Sequence, residues 1–109
     1  MSVLKTDDFV TDVERQFEWY TTNAGREVAD RYLDAVEATC RMLGEHPLLG
    51  PRGGFTHPRL RDWRFFLVLR PFQKHILFYE VAARDVVMRR AVRGGRDLSP
   101  GLLDPPAQE

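Results

Sequence analysis

Four arginines lie close together near the end of the chain, Arg89, Arg90, Arg93 and Arg96. A guanidinium stays protonated at working pH and holds carboxylates or phosphates through a planar fork of donors. The same property makes arginine a poor proton shuttle. The run therefore predicts either a surface that contacts an anionic partner or a set of solvated strand positions.

Charge is divided along the chain although it cancels in the sum. Residues 59–97 carry 10 basic and 4 acidic side chains, whereas residues 1–58 carry 6 basic and 10 acidic ones. The second half is thus a cationic element on a balanced protein. Direct contact with nucleic acid stays open. Salt dependence would test it, because each phosphate that an arginine neutralises makes binding more steeply dependent on salt.

Three side chains are candidates for proton transfer: His57, His75 and Tyr79. Each would serve if it folded beside Arg61 or Arg93. Tyr79 lies in an apolar run, which favours a buried ring with a hydroxyl contact. His75 at a strand start is expected to be exposed, and His57 lies in a loop without an evident partner. Three scattered histidines predict no metal site, and no cofactor is expected.

The single cysteine, Cys40, lies inside an apolar helical stripe, which favours a small core residue over a nucleophile. One cysteine cannot form an internal disulfide, so a reducing compartment is compatible. No run approaches the roughly 18 to 20 apolar residues of a membrane span, and the first residues lack an apolar signal segment. We expect a cytoplasmic protein with no membrane partner.

The first half predicts a short strand and two helices. Val3 to Thr6 has strand character, and Asp7 or Asp8 offers a helix cap. Helical spacing then places on one face Phe9, Val10, Val13, Phe17 and Tyr20, and on the other Asp12, Glu14, Arg15 and Glu18. A break near Thr22 to Gly25 separates a second helix, whose stripe is Val28, Ala29, Tyr32, Leu33, Val36, Cys40 and Leu43. Gly44 is predicted to cap its end, and the two helices pack antiparallel.

The second half predicts a sheet. Residues 47–58 hold three prolines and three glycines and predict a loop. Three strand-like runs follow, Leu60 to Arg70, Ile76 to Val81 and Val86 to Val92, and short turns between them predict an antiparallel meander. Strict alternation in the last run would send Arg89 and Arg93 to one face and Arg90 to the other.

These elements predict an α+β fold: a short N-terminal strand, an antiparallel helical hairpin, and a three-stranded antiparallel β-meander covered by the hairpin on one face. We expect one domain over residues 1–98. The segment 99–109 holds three prolines and is expected to be a flexible tail.

The ending of this domain resembles that of the ParE branch of the RelE/ParE toxins. Members of that family close on an arginine, two apolar residues, a histidine, a glycine, any residue, an arginine and an aspartate. Here the corresponding run is Arg90, Ala91, Val92, Arg93, Gly94, Gly95, Arg96 and Asp97. Leu43, Pro47 and Gly50 after the second helix, and Leu60-Arg61 before the sheet, are also similar to the family pattern. The resemblance implies a toxin of a type II toxin–antitoxin pair, of the plasmid-stabilisation kind.

The family divides by mechanism. RelE-type members cleave mRNA on the ribosome, and ParE-type members poison DNA gyrase without cleaving RNA. In cleaving members His, Tyr or Lys near the end of the last strand moves the protons. Here Arg93 replaces the histidine, and no His, Tyr or Lys follows Tyr79. The resemblance thus favours the gyrase branch, with Arg89, Arg90, Arg93 and Arg96 as contact residues and no catalytic residue.

Two other functions remain open. As a ribosome-dependent ribonuclease, the protein would use Arg61, His75, Tyr79 and Arg93; as a binding module without toxicity, it would only pair with its partner. Asp97 is expected to pair with Arg96 or to accept backbone N–H groups in the turn.

The resemblance also implies partners: DNA gyrase as the target and a ParD-like antitoxin. An acidic, amphipathic antitoxin segment is expected to fold across the toxin, with a helix on apolar surface between hairpin and sheet. Its extended part is expected to add a strand to an open sheet edge.

Overall fold

The computed structural model describes residues 1–94, so the predictions for Arg96, Asp97, the domain limit at residue 98 and the segment 99–109 lie outside the described residues. Along the chain lie β1 (Ser2–Lys5), α1 (Asp7–Ala24), α2 (Arg26–Glu45), β2 (Arg64–Leu67), β3 (His75–Ala82) and β4 (Asp85–Arg93). The predicted α+β class with two helices is confirmed. None of the helices in this part of the chain is long and apolar enough to span a membrane.

Thr6 joins β1 to α1. Its extended backbone and its hydroxyl, which accepts a hydrogen bond from the Phe9 amide at 3.1 Å, make it the N-cap. The prediction of Asp7 or Asp8 as the cap was wrong by one residue. Both aspartates lie in the first turn instead, where a negative charge favours the positive end of the helix dipole.

The two helices meet at Gly25, whose φ of 94° lies where glycine is favoured. The predicted end of α2 at Gly44 was wrong, because α2 continues to Glu45. Gly44 is buried, and a Cβ there would come within 2.8 Å of Val3 Cγ2. Its role is to let β1 approach the helix closely.

The sheet has four strands in the order β1-β4-β3-β2. β3 pairs antiparallel with both β2 and β4, and β1 joins β4 in parallel, with Ser2 opposite Asp85 and Lys5 opposite Met88. The sequence predicted the short strand but not its place in the sheet. A parallel neighbour needs a long crossover, which α1, α2 and the loop after them supply.

The predicted strand from Leu60 to Arg70 is too long, because only Arg64–Leu67 pairs with β3. Residues 57–62 form turns that leave Leu60 and Trp63 buried against Phe78, on the sheet face away from the helices. The apolar residues of this run fill a second small core rather than extending a strand.

A β-bulge interrupts β4. Phe78 lies opposite Arg90, but Tyr79 lies opposite Met88, so Arg89 is the extra residue. Strict alternation of the arginines along this strand was therefore wrong. Beyond the bulge the core positions shift by one, and Val86, Met88 and Ala91 belong to the core between sheet and helices.

A buried ion pair attaches α1 to β4. Asp12 accepts hydrogen bonds from Arg90 Nε at 2.7 Å, from Arg90 Nη2 at 3.1 Å and from the Ala91 backbone amide at 2.9 Å. Both side chains are only 8% exposed. Asp12 thus faces the sheet. Its place on the polar face of α1 had predicted a solvent-exposed position, and that prediction was wrong.

Removing Asp12 should destabilise the fold. Asp12→Ala would leave a buried guanidinium and the Ala91 amide without this acceptor, which we expect to cost about 3–5 kcal/mol of unfolding free energy in urea. Asp30→Ala is the matched control, because it removes an exposed helical carboxylate paired with Arg26. That change should cost under about 1 kcal/mol.

Because a loss of this size approaches the whole stability of a small domain, Asp12→Asn serves as a milder second variant. Similar unfolding free energies for the Asp12 and Asp30 variants would contradict a stabilising role for the buried pair.

Candidate functional site

A groove of about 560 Å³ lies between the outer side of α1 and the end of β4. The helix contributes polar residues from its second to fifth turns, and the strand contributes its last three residues. The lining residues are Asp12, Arg15, Gln16, Glu18, Trp19, Thr22, Asn23, Ala91, Val92 and Arg93. This groove contains the one described arginine of the closing run that reaches solvent without an acidic partner.

That arginine is Arg93, the last residue of β4. Its side chain is exposed, and its guanidinium carbon lies 5.8 Å from the centre of the Trp19 ring. A cation over the face of an indole is attracted by the ring's electron density. The contact orients the guanidinium, and within residues 1–94 no carboxylate forms an ion pair with it.

His75 lies directly across the ladder from Arg93 but is buried, only 2% exposed, so the prediction of an exposed histidine was wrong. Its Nε2 forms a 2.8 Å hydrogen bond with the Tyr20 hydroxyl, and its ring packs against that of Tyr32. Burial, together with a smaller contribution from the Arg93 charge, lowers the pKa of His75 to about 4. The imidazole is therefore neutral at working pH, and it is buried with its Nε2 bonded to Tyr20.

Tyr79 is a buried aromatic residue with a hydroxyl contact, as its apolar surroundings predicted. The hydroxyl donates to the Pro47 carbonyl at 2.7 Å and accepts from the Gly50 amide at 2.9 Å. Burial raises the pKa of Tyr79, and the Gly50 amide and the Arg64 charge oppose that rise. This tyrosine anchors the loop after α2, and a Cβ at Gly50 would come within 2.8 Å of its hydroxyl oxygen, which accounts for the glycine.

The two other described arginines of the run are paired with acids. Arg89 donates through Nε and Nη2 to one oxygen of Glu80 and is about a third exposed, 38%. Arg90 is buried against Asp12. Arg90 was predicted as a contact residue, but its burial leaves almost no surface for a partner. Arg96 lies outside the described residues.

The residues of the alternative ribonuclease site do not all converge. His75 and Arg93 are neighbours, but Tyr79 lies four residues further along β3, about 13 Å away. Arg61 belongs to the turn segment that packs on the opposite face of the sheet. His57 accepts a hydrogen bond from the Arg59 amide within that same segment.

Cys40 is 2% exposed in the main core, and burial raises its pKa to about 12, so the thiol stays protonated. Within residues 1–94 no cluster of His, Cys, Asp or Glu has the arrangement of a metal site.

The sequence pattern did not identify Asp12, Trp19 and Tyr20 as part of this region. Tyr20 was placed with the apolar stripe of α1, and its hydroxyl partner lies 55 residues away. Trp19 precedes it on an exposed position, 47% accessible. An exposed tryptophan one residue before a tyrosine of the apolar stripe is the signal that was available, but only the fold brings Arg93 to it.

Comparison with known proteins identifies a matching family model and matching solved structures. The model of the family described as ParE toxin of type II toxin-antitoxin system, parDE, matches residues 3–98. Among solved structures, a chain of the chromosomal ParDE TA system from P. aeruginosa superposes with a TM-score of 0.70 at 16% identity, covering 85% of this chain and 95% of that one. At this identity the structural likeness concerns the fold alone. No curated protein matches the chain.

The burial of His75 predicts a pH effect on stability. The unfolded chain takes up a proton near pH 6.5, whereas folded His75 does so only near pH 4. The unfolded state therefore binds more protons between these values, and this contribution is present in full above pH 6.5 and is lost as pH falls towards 4.

Denaturant titrations of wild type and His75→Gln across this range check the effect, since the variant lacks the titrating ring. We expect the wild type to lose more stability than the variant, and an NMR titration of the His75 ring should give a midpoint well below 6.5. A midpoint at or above 6.5 would contradict the buried, neutral imidazole.

Proposed function

The chain belongs to the ParE toxin family of type II toxin–antitoxin systems, and from that premise we propose that it inhibits DNA gyrase and is neutralised by a cognate ParD-like antitoxin. In this role the protein acts in the cytoplasm. Family membership carries the toxin–antitoxin part of the proposal. The choice of gyrase over RNA depends on the chemistry of the residues near the end of β4.

One observation carries that choice: two of the three predicted proton-transfer residues, His75 and Tyr79, are used inside the fold, and the third, His57, accepts a hydrogen bond from the Arg59 amide in a turn. RNA cleavage needs a base for the 2′-hydroxyl and an acid for the leaving oxygen, each within reach of substrate. His75 is buried against Tyr20, and Tyr79 holds the backbone of Pro47 and Gly50. Arg93, which is exposed beside His75, stays protonated and transfers no proton.

Tyr20 is a further hydroxyl close to Arg93. Burial raises the pKa of Tyr20, opposed by the Arg93 charge, and its oxygen is bonded to His75. A phenol with a raised pKa is a poor base at neutral pH. This arrangement supports a contact surface rather than a nuclease site.

The proposed contact surface consists of Arg93 and the exposed part of Arg89, with Arg96 added from the sequence pattern. Arg90 is left out because it is buried with Asp12. Charges exposed at the rim of a binding surface mainly set the rate of encounter and the choice of partner. An acidic antitoxin covering these arginines would block the target by occupying the same charges.

Controlled expression in bacteria tests the proposal. Induction of the chain alone should arrest growth, produce filamentous cells with gyrase-dependent DNA breaks, and leave mRNA intact. Co-expression of the protein encoded by the adjacent reading frame should restore growth. The purified chain should also inhibit supercoiling by gyrase, and Arg93→Ala should weaken that inhibition.

His75→Gln and Tyr79→Phe separate the two mechanisms. Neither residue should be needed for gyrase inhibition beyond its part in folding, which circular dichroism and thermal unfolding monitor. Ribosome-dependent mRNA cleavage that disappears in these variants would identify a RelE-type ribonuclease instead. Normal growth on induction, with the chain folded and abundant, would favour a module that only binds its partner.

A further inference from the structure

Residues 57–62 form a turn segment on the sheet face away from the helices. Leu60 and Trp63 hold this segment in place, because both are buried against Phe78. The Leu60 amide donates to the His57 carbonyl at 2.9 Å, and the Trp63 amide donates to the Leu60 carbonyl at 3.0 Å. The backbone of the segment therefore has a fixed position on the sheet.

Two arginines of the segment, Arg59 and Arg61, are exposed on either side of the buried leucine. The Arg59 amide donates to His57 Nδ1 at 3.1 Å, which orders the backbone that carries this side chain. Neither guanidinium forms an ion pair with a carboxylate of residues 1–94. Cations on an ordered backbone lose less entropy on binding than cations on a disordered one.

The acidic side chains beside the segment are used by other arginines. Asp62 belongs to the segment and pairs with Arg52 at 3.4 Å. Glu80 follows the residue of β3 at which β2 begins to pair, and it accepts a hydrogen bond from Arg89. Asp85 lies further on, at the start of β4. Within the described chain, this part of the face therefore has an excess of positive charge, which the two arginines of the segment supply.

The side chains of the segment favour a nucleic acid over a protein as the partner. Protein interfaces place aromatic and apolar side chains at their centre and charges at their rim. Here the large apolar residues are buried, and none of the exposed large apolar side chains within residues 1–94 belongs to the segment. Interfaces with DNA are polar and positive, and the guanidinium fork matches the oxygens of a phosphate. A pair of exposed arginines without an apolar centre therefore matches a phosphate backbone.

We propose that Arg59 and Arg61 bind the phosphate backbone of double-stranded DNA, one phosphate each. This contact does not depend on base sequence, because only the backbone is touched. The inference rests on the proposed function for the choice of DNA, because gyrase holds double-stranded DNA. A toxin attached to gyrase by the arginines at the end of β4 meets this DNA at a high effective concentration, so a weak second contact is sufficient.

The salt dependence of DNA binding tests the inference. The affinity of the full-length chain for a fluorescently labelled duplex oligonucleotide is measured by anisotropy between about 50 and 200 mM NaCl. Each phosphate contact steepens the log–log slope by about 0.9, so the slope of the double variant Arg59→Gln, Arg61→Gln should be shallower by about 1.8. Over this fourfold range of salt, the wild type should lose about tenfold more affinity than the variant.

A second double variant, Arg31→Gln, Arg41→Gln, controls for net charge. It removes two exposed arginines of α2, which packs on the other face of the sheet. Its slope should equal that of the wild type, because neither arginine belongs to the turn segment. A single-stranded RNA of the same sequence is the control for the nucleic acid, and it should bind more weakly than the duplex because its charge density is lower.

The outcomes separate this inference from the proposed function. Equal slopes for the wild type and Arg59→Gln, Arg61→Gln, or an equal loss of slope in the α2 variant, would overturn the contact through the turn segment. Tighter binding of the RNA would overturn the choice of DNA. Inhibition of supercoiling by the wild-type chain tests the proposed function by itself, and its failure would leave the measured slopes unchanged. Circular dichroism of each variant confirms that a lost affinity is not a lost fold.

Discussion

The buried pair between Asp12 and Arg90 is the interaction on which the rest of the structure depends. β1 accompanies β4 only as far as Met88, where the chain turns into α1. Without Asp12, the Ala91 amide on that edge would lose its acceptor, and buried Arg90 would lose the carboxylate with which it pairs. Asp12 supplies both contacts, because its Oδ2 accepts hydrogen bonds from Arg90 Nε and from the Ala91 amide. A buried charge without its partner is strongly destabilising, so α1 is held in one position against the strand.

That position creates the site. With α1 fixed beside β4, the Arg93 guanidinium lies over the Trp19 ring, and the Tyr20 hydroxyl forms a hydrogen bond with His75 Nε2. Of the residues that the alternative ribonuclease site would use, His75 is thereby bonded to Tyr20 of α1, and Tyr79 is bonded to the loop after α2. The charge left at the surface belongs to an arginine, which binds anions and moves no protons. The described arginines of the closing run thus have three different environments: Arg90 is buried in an ion pair, Arg89 is partly exposed and paired with Glu80, and Arg93 is exposed.

Local pattern was sufficient for much of the fold. Apolar spacing predicted both helices, and Gly25 fulfils the predicted break between them. The core position of Cys40 followed from the same stripe, and the hydroxyl contact of Tyr79 from its apolar run. Local pattern did not predict three features that depend on contacts between distant residues. These are the pairing of β1 with β4, the close approach of Val3 to Gly44, and the burial of Leu60 and Trp63 in a second core instead of in a strand.

The errors at the site have the same origin. Strict alternation misassigned the arginines because the bulge at Arg89 is set by pairing with β3. Burial of His75 depends on aromatic rings from both helices, which no spacing within β3 reveals. The helical pattern placed Asp12 at a solvated position, because its partners Arg90 and Ala91 lie 78 and 79 residues further along the chain.

Native-state hydrogen exchange at two amides of one strand edge tests the central claim most directly. The Ala91 amide, bonded to buried Asp12, should exchange slowly, close to the rate set by global unfolding. The Arg93 amide, two residues away on the same edge, should exchange orders of magnitude faster. Similar exchange at both positions would contradict an edge that Asp12 closes at Ala91 and leaves open at Arg93.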